Sequence, residues 1–305
     1  MEAREHLLPC PPMRYEGTVY RPPSEASSFI LQATIGCSYN RCSYCAMYLE
    51  KRFRQRSRED LLEDMALAQA QLGAQNVRRV FLADGDALIM RTARLLEILE
   101  DLKRHFPAFQ RASVYASPQA LLKKSVAEIA ELKAAGLTHY YLGTETGHPI
   151  VMERIAKGVT PSEMVEGARR VTEADARLSV IMLLGIGGVE LSHEHAVESG
   201  RIVSAMDPRY VSTLTITPVP GTAFHDEVES GRVVLPDERA LLAEQRTMVE
   251  HMDVTRAIYR GNHASNSLPI GGNLPAQKAE ILAVLDRVVR DTDIPLRRRP
   301  SPHHL

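Results

Sequence analysis

The chain has 305 residues, 44% hydrophobic and 25% charged, with 37 Lys and Arg against 38 Asp and Glu for a formal net charge of -1. That composition excludes disorder, a collagen repeat and a disulfide scaffold. The balanced charge excludes a global field that would hold a polyanion, so any nucleic-acid contact has to be local.

Residues 1–28 hold Pro9, Pro11, Pro12, Pro22 and Pro23 without periodicity and read as an irregular lead-in. Nothing in residues 1–6 resembles a secretory signal. The longest apolar stretch, 180–189, is broken by three glycines and is shorter than the roughly 18 residues that a membrane span needs. The expectation is a cytoplasmic protein with no membrane partner. Short apolar runs rich in β-branched or aromatic residues follow at 29–35, 79–83, 112–116, 139–142, 178–184 and 210–217, giving six candidate strands.

Helical patterns lie between them. Leu61, Met65, Ala68 and Leu72 recur at spacings of four, three and four before Gly73, and Gly136 closes a helix through Leu122, Val126 and Ile129. Thr160, Pro161 and Glu163 form a capping box with proline at the first helical position, and Ser192 is a candidate cap for the next helix. Strands alternating with helices at crossover spacing predict parallel strands, in a barrel-like or an open doubly wound sheet. After residue 222 the chain reads as an appendage, with a charged helix near 237–252, a polar loop through Asn262, His263, Ser265 and Asn266, and a last helix after Pro275.

Three of the four cysteines, Cys37, Cys42 and Cys45, fall in a CxxxxCxxC loop directly after the first strand. In parallel α/β folds such loops face the ligand. Three thiolates cannot complete a four-thiolate zinc site or fill all corners of a cubane cluster, so one coordination position stays open. The competing reading is a zinc knuckle completed by Cys10 or a histidine, in a binding protein without catalysis.

With these residues the sequence resembles the radical S-adenosylmethionine (SAM) superfamily, in particular the core shared by its HemN-like, BchE-like and elongator-subunit-like members, over about residues 29–222. Besides the cysteine loop with Tyr44, three segments carry the likeness. Asp84, Gly85 and Asp86 resemble the element that receives the methionyl amino group. Gly143 to Gly147 resembles the segment whose glutamate, here Glu145, holds the ribose. The run from Ile181 through Leu184 and Gly185 to Gly188 resembles the strand that packs on adenine. The family's usual cysteine spacing is one residue shorter. Asp84 to Asp86 alone also suits a turn, and Glu145 alone also suits a helix N-cap. A Rossmann fingerprint fails because Glu190 stands where glycine is required.

The resemblance implies a partial (β/α)6 TIM-like barrel at 29–222, with an α-rich extension at 223–305 forming the substrate side. It also implies a [4Fe-4S] cluster on Cys37, Cys42 and Cys45, SAM as second cofactor, and a reductant such as flavodoxin or ferredoxin. The expected activity is reductive cleavage of SAM followed by hydrogen abstraction from a small-molecule substrate. One cysteine outside the loop cannot build a second cluster, and the segment before Phe29 is expected to be too short for a cobalamin domain.

His263 and Asn266 are the candidate substrate residues. The basic run Lys51, Arg52, Arg54, Arg56 and Arg58 could meet an anionic substrate, the cofactor carboxylate or tRNA phosphate, against the alternative of a salt-bridged surface. A tRNA-modifying enzyme is the runner-up, disfavoured by the charge balance and the lack of interleaved aromatics. His193, Glu194 and His195 are HEH rather than HExxH and read as a helix start.

Overall fold

A computed structural model describes residues 13–299. After a lead-in, β1 (Phe29–Gln32) runs into β2 (Thr34–Ile35), which pairs with β3 (Arg54–Gln55) across the cysteine loop. α1 (Arg58–Leu72), β4 (Arg79–Ala83), α2 (Thr92–His105), β5 (Arg111–Ala116), α3 (Pro118–Leu122), α4 (Val126–Ala135) and β6 (Leu137–Glu145) follow. Then come α5 (Pro149–Arg154), α6 (Pro161–Glu173), β7 (Arg177–Leu184), α7 (Ser192–Met206) and β8 (Tyr210–Thr215). The last third holds α8 (Ala223–Glu229), α9 (Glu238–Glu250), β9 (Ala257–Gly261), β10 (Ile270–Leu274) and α10 (Lys278–Arg290).

The six expected strands are present and pair in parallel in the order β1, β4, β5, β6, β7, β8, each crossing over through helix. This is the mixed α/β, barrel-like architecture expected, as an open sheet rather than a closed barrel. One face of each strand, such as Val80 and Leu82, Val114, Leu142, or Val180 and Met182, is fully buried beneath the helices. Each such side chain contributes roughly 1.5–3 kcal/mol of transfer free energy. The opposite, inner face is covered near β1, β4 and β6 by the lead-in, whose Val19 packs with Ile30, Phe81 and Tyr141.

Three details differ from the sequence expectation. The helix before Gly136 is two helices, because Ser125 forms a capping box with Glu128 and restarts the chain after Leu122. Ser192 does not cap α7; it is the first helical residue and its hydroxyl turns to Glu244. The extension is more than helical: β9 joins β8 in parallel and β10 pairs antiparallel with β9, prolonging the sheet to eight strands. The sequence of β10, IGGNL, has little β-propensity, so only the neighbouring strand makes it one.

Candidate functional site

The cysteine loop leaves β2 at Gly36, whose φ of 72° is the left-handed turn that glycine makes without strain. Gly36 N–H donates to Asp84 Oδ2 at 3.0 Å, and Gly85 N–H to the Gly36 carbonyl at 3.2 Å. The longer gap between Cys37 and Cys42 is taken up by Asn40, also left-handed, whose Nδ2 donates to the Tyr48 carbonyl at 2.9 Å. The far side of the loop is stitched to the segment after α5. Tyr39 Oη donates to the Ala156 carbonyl at 2.8 Å, and Ser43 N–H to the Ile155 carbonyl at 2.9 Å.

All three thiols are free and half-buried on this pinned loop. Burial pushes each of them up, Cys45 to about 11, so binding of metal has to displace protons. Among the described residues no three His, Cys, Asp or Glu side chains converge on a single-ion site. Cys10 lies outside the described residues.

Asp84 and Asp86 do not point outward as ammonium acceptors. Asp84 is fully buried, and its Oδ2 accepts from Gln32 Nε2 at 3.0 Å, Gly36 N–H at 3.0 Å and Lys51 Nζ at 2.8 Å. Its Oδ1 and the Tyr48 hydroxyl are buried without a hydrogen-bond partner. Asp86 accepts from Ser38 Oγ, and from Ser117 N–H at 3.2 Å and Oγ at 2.9 Å, tying the cysteine loop to the end of β5. Burial raises its pKa against those three bonds. Both acids hold the loop itself, because a loop of half-buried thiols has no core of its own to fix it.

The basic run is consumed the same way. Lys51 pairs with Asp84, Arg54 with Glu16, Arg56 with buried Asp64, and Arg58 makes a two-pronged contact with Asp101 at 2.9 Å. Arg52 is exposed.

Glu145 ends β6 where the register with β7 shifts, and its φ is 67°. Its carboxylate folds back over Gly143, where a β-carbon would collide with Oε1. Lys157 Nζ lies 3.2 Å from Glu145 Oε1, 3.5 Å from the Tyr44 hydroxyl and 5.9 Å from the Tyr44 ring centre. Burial opposes the charge of Lys157, yet Glu145 and Cys42 hold its pKa above the ordinary lysine value. Burial, with Glu145 alongside, pushes the Tyr44 phenol well up. Glu145 is not the N-cap of α5, since His148 Nδ1 accepts from Val151 N–H. Lys157 carried no sequence signal; the chain folding back against the cysteine loop seats it there.

At the end of β7, Leu184 is buried and Gly185 N–H donates to Glu244 Oε1 at 2.6 Å. Glu244 comes from α9 and also accepts from Ser192 Oγ. Burial pushes Glu244 up to about 7. Beside it, His195 is fully buried, with Nε2 3.0 Å from the Leu183 carbonyl and Nδ1 2.8 Å from Thr146 Oγ1, and burial drives it down to about 4. His195 is therefore neutral, protonated on Nε2, and links the ends of β6 and β7. The HEH segment is a helix start, as read, but its second histidine is a buried connector. Glu244 was not foreseen; a glutamate in a charged helix looks solvated until its buried face is known.

The two substrate candidates separate. Asn266 is buried with both ends committed: Oδ1 accepts from Thr215 N–H at 2.9 Å and Oγ1 at 3.0 Å, while Nδ2 donates to the Thr213 and Gly261 carbonyls. It clamps β8 to the loop after β9 and has nothing left for a ligand. His263 is half-buried and 2.9 Å from Ser265 Oγ; burial and then Arg297 lower its pKa.

The cysteine loop and Glu145 thus lie at the carboxyl ends of parallel strands, with Gly185 at the end of neighbouring β7, and residues 31–199 match the Radical SAM superfamily. The chain belongs to that superfamily. Its cofactors are a [4Fe-4S] cluster and SAM. In sequence it is 23% identical over 208 residues to an uncharacterized methyltransferase of Pyrococcus horikoshii, covering 68% of this chain and 43% of that protein. It is 22% identical over 204 residues to the heme chaperone HemW of Bacillus subtilis, covering 65% and 52%. The chain thus spans about half the length of these curated relatives.

Among solved structures, coproporphyrinogen III oxidase (HemN) of Escherichia coli, a radical SAM enzyme, aligns with a TM-score of 0.57 at 14% identity, covering 73% of this chain and 51% of that one. The radical SAM methyltransferase TsrM from Kitasatospora setae, with cobalamin and a [4Fe-4S] cluster bound, aligns at 0.53 and 20% identity, covering 67% and 39%. Among the described residues no helix is long and apolar enough to cross a membrane.

Proposed function

We propose that this chain is a radical SAM enzyme that abstracts hydrogen from a small-molecule substrate. The observation that carries the reading is the pinned loop of three half-buried thiols beside a buried carboxylate–ammonium pair at the carboxyl ends of a parallel sheet. The donor set fits: three soft ligands, an open fourth corner, and unpartnered buried oxygens on Asp84 and Tyr48 next to it.

In this reading Cys37, Cys42 and Cys45 hold three irons, and Asp84 and Asp86 fix the loop that presents them. The loop carbonyls at Asp84 and Gly85 receive the methionyl amino group, and Glu145 accepts from the ribose hydroxyls. Lys157 steers the Glu145 carboxylate through its 3.2 Å contact with Oε1. Tyr44 and Gly185 border the adenine, and Glu244 holds the Gly185 amide in place; Leu184, the sequence candidate beside them, is packed with Val180 and Met182 beneath the helices. When bound, cluster and SAM supply one-electron cleavage of a sulfonium C–S bond, giving methionine and a 5′-deoxyadenosyl radical that takes a hydrogen atom from substrate; the protein orients and excludes water.

Anaerobic reconstitution tests the reading. Wild type is expected to hold about four iron and four sulfide per chain and to release 5′-deoxyadenosine when reduced with SAM. Cys37→Ala, Cys42→Ala and Cys45→Ala each abolish that release, and Cys10→Ala leaves it. A tightly held zinc in place of iron, or loss of release in the Cys10 variant with its fold intact, would overturn the proposal.

A further inference from the structure

On the inner face, β6 to β9 each contribute one side chain that the site above does not use: His139, Arg177, Tyr210 and Arg260. Arg260 and Arg209 approach the Tyr210 ring, with guanidinium carbons 5.5 and 5.9 Å from its centre. His139 stacks on the same ring, centroids 6.5 Å apart and planes at 28°. Arg177 Nη1 donates to His139 Nε2 at 3.2 Å, and His139 Nδ1 lies 2.8 Å from Thr138 Oγ1. His139 therefore accepts from an arginine and serves as a neutral spacer between cations. Burial, with Arg111 and Arg177 nearby, drives its pKa down to about 4.

Other arginines of this fold sit on carboxylates, as Arg56 does on Asp64 and Arg111 on Glu25, or on backbone carbonyls, as Arg154 and Arg239 do. Glu25, the acid whose charge acts on His139, is occupied by Arg111, Tyr141 and Ser28. Among the described residues Arg177, Arg209 and Arg260 form no ion pair. Guanidinium cannot shed its charge, so Arg209 and Arg260 beside the Tyr210 ring, with Arg177 reached through His139, make a local positive patch that favours an anion.

Strand register sets Arg177 level with His139 and Tyr210 level with Ser179, near the amino ends of β7 and β8, and Arg260 two residues further along. Gly143, Ile181, Ser212 and Arg260 are successive partners across β6, β7, β8 and β9. Three inter-strand steps make about 14 Å from Gly143, directly under the Glu145 carboxylate, to Arg260. Ile181 and Ser212, both partly exposed, form the floor between.

We infer that Arg177, Tyr210 and Arg260 form an anchor for a carboxylate or phosphate group of the substrate, which lies across Ile181 and Ser212 with its reacting carbon toward Glu145. This rests on the function proposed above and adds to it that the substrate is an anionic small molecule. Binding energy at an anchor remote from the reacting bond orients that bond.

Thermal unfolding in inorganic pyrophosphate and in citrate, against sodium chloride at matched ionic strength, tests the anchor. At least one of the two raises the wild-type midpoint, and Arg177→Gln/Arg260→Gln needs at least tenfold more of it. Arg260→Lys, which keeps charge and loses the planar fork, falls between. A citrate response assigns carboxylate and a pyrophosphate response phosphate. Equal responses of wild type and double variant, or the same rise with sodium chloride, overturn the anchor. Retention of bulk tRNA that the double variant loses and neither small anion competes would give the patch to nucleic acid and overturn it too. Deoxyadenosine release by reconstituted wild type is scored separately: release without an anion response sinks the anchor alone, and no release sinks the reading beneath it.

Discussion

The two ends of the sheet treat charge in opposite ways. From β1 to β6 nearly every charged side chain near the inner face meets a partner: Asp84 with Lys51, Glu25 with Arg111 at 2.9 Å, Asp86 with two serines, Glu145 with Lys157. From β7 to β9 the inner face carries Arg177 and Arg260 without counter-charge among the described residues, while the buried acid behind it, Glu244, is pushed toward its neutral form. Compensated charge holds a structure in one place, whereas uncompensated charge is held for something that arrives. In the proposed reading the half with the cysteine loop is scaffold for bound cofactor, and the other half is the face left for substrate.

The contrast can be broken first at Asp86. Asp86→Ala removes an acceptor of three hydrogen bonds and orphans Ser38 and Ser117, and is expected to cost about 3 kcal/mol in denaturant unfolding and to lower iron retention. An iron content unchanged from wild type would show that the loop is held without it.

A smaller effect sharpens the other side. The pKa of Glu244 is raised on folding, so its stabilising contribution is complete below the unfolded value near 4.5 and is lost as pH rises through about 7. Between pH 5 and 7 wild type should lose about 2 kcal/mol that Glu244→Gln does not lose. Parallel pH profiles for the two proteins would place the Glu244 titration elsewhere. Last, Arg54→Ala removes an exposed pair with Glu16 and should change stability by under about 0.5 kcal/mol. A larger loss would mean that the β2–β3 hairpin depends on that pair.

Much of this was legible in one dimension. Thr160 and Glu163 capped their helix as read, and residues 79–83 formed a strand with those limits, because caps and apolar runs act over a few residues. Family likeness singled out Glu145, but not its partner Lys157, twelve residues on, since nothing local distinguishes that lysine from a surface one. Asn266 misled for the converse reason: a polar loop looks free until its backbone neighbours are known, and four hydrogen bonds then consume it.

Sequence alone determined the thiol trio, the alternation of strand and helix, and hence the family, because these are carried by spacing along the chain. Which charges are satisfied and which stand open was decided by tertiary structure alone. Asp84 finds Gly36 and Lys51, Glu244 finds Gly185, and Arg260 finds an aromatic ring, through contacts between residues tens of positions apart. Electrostatic compensation is a property of proximity in space, and no local pattern encodes it.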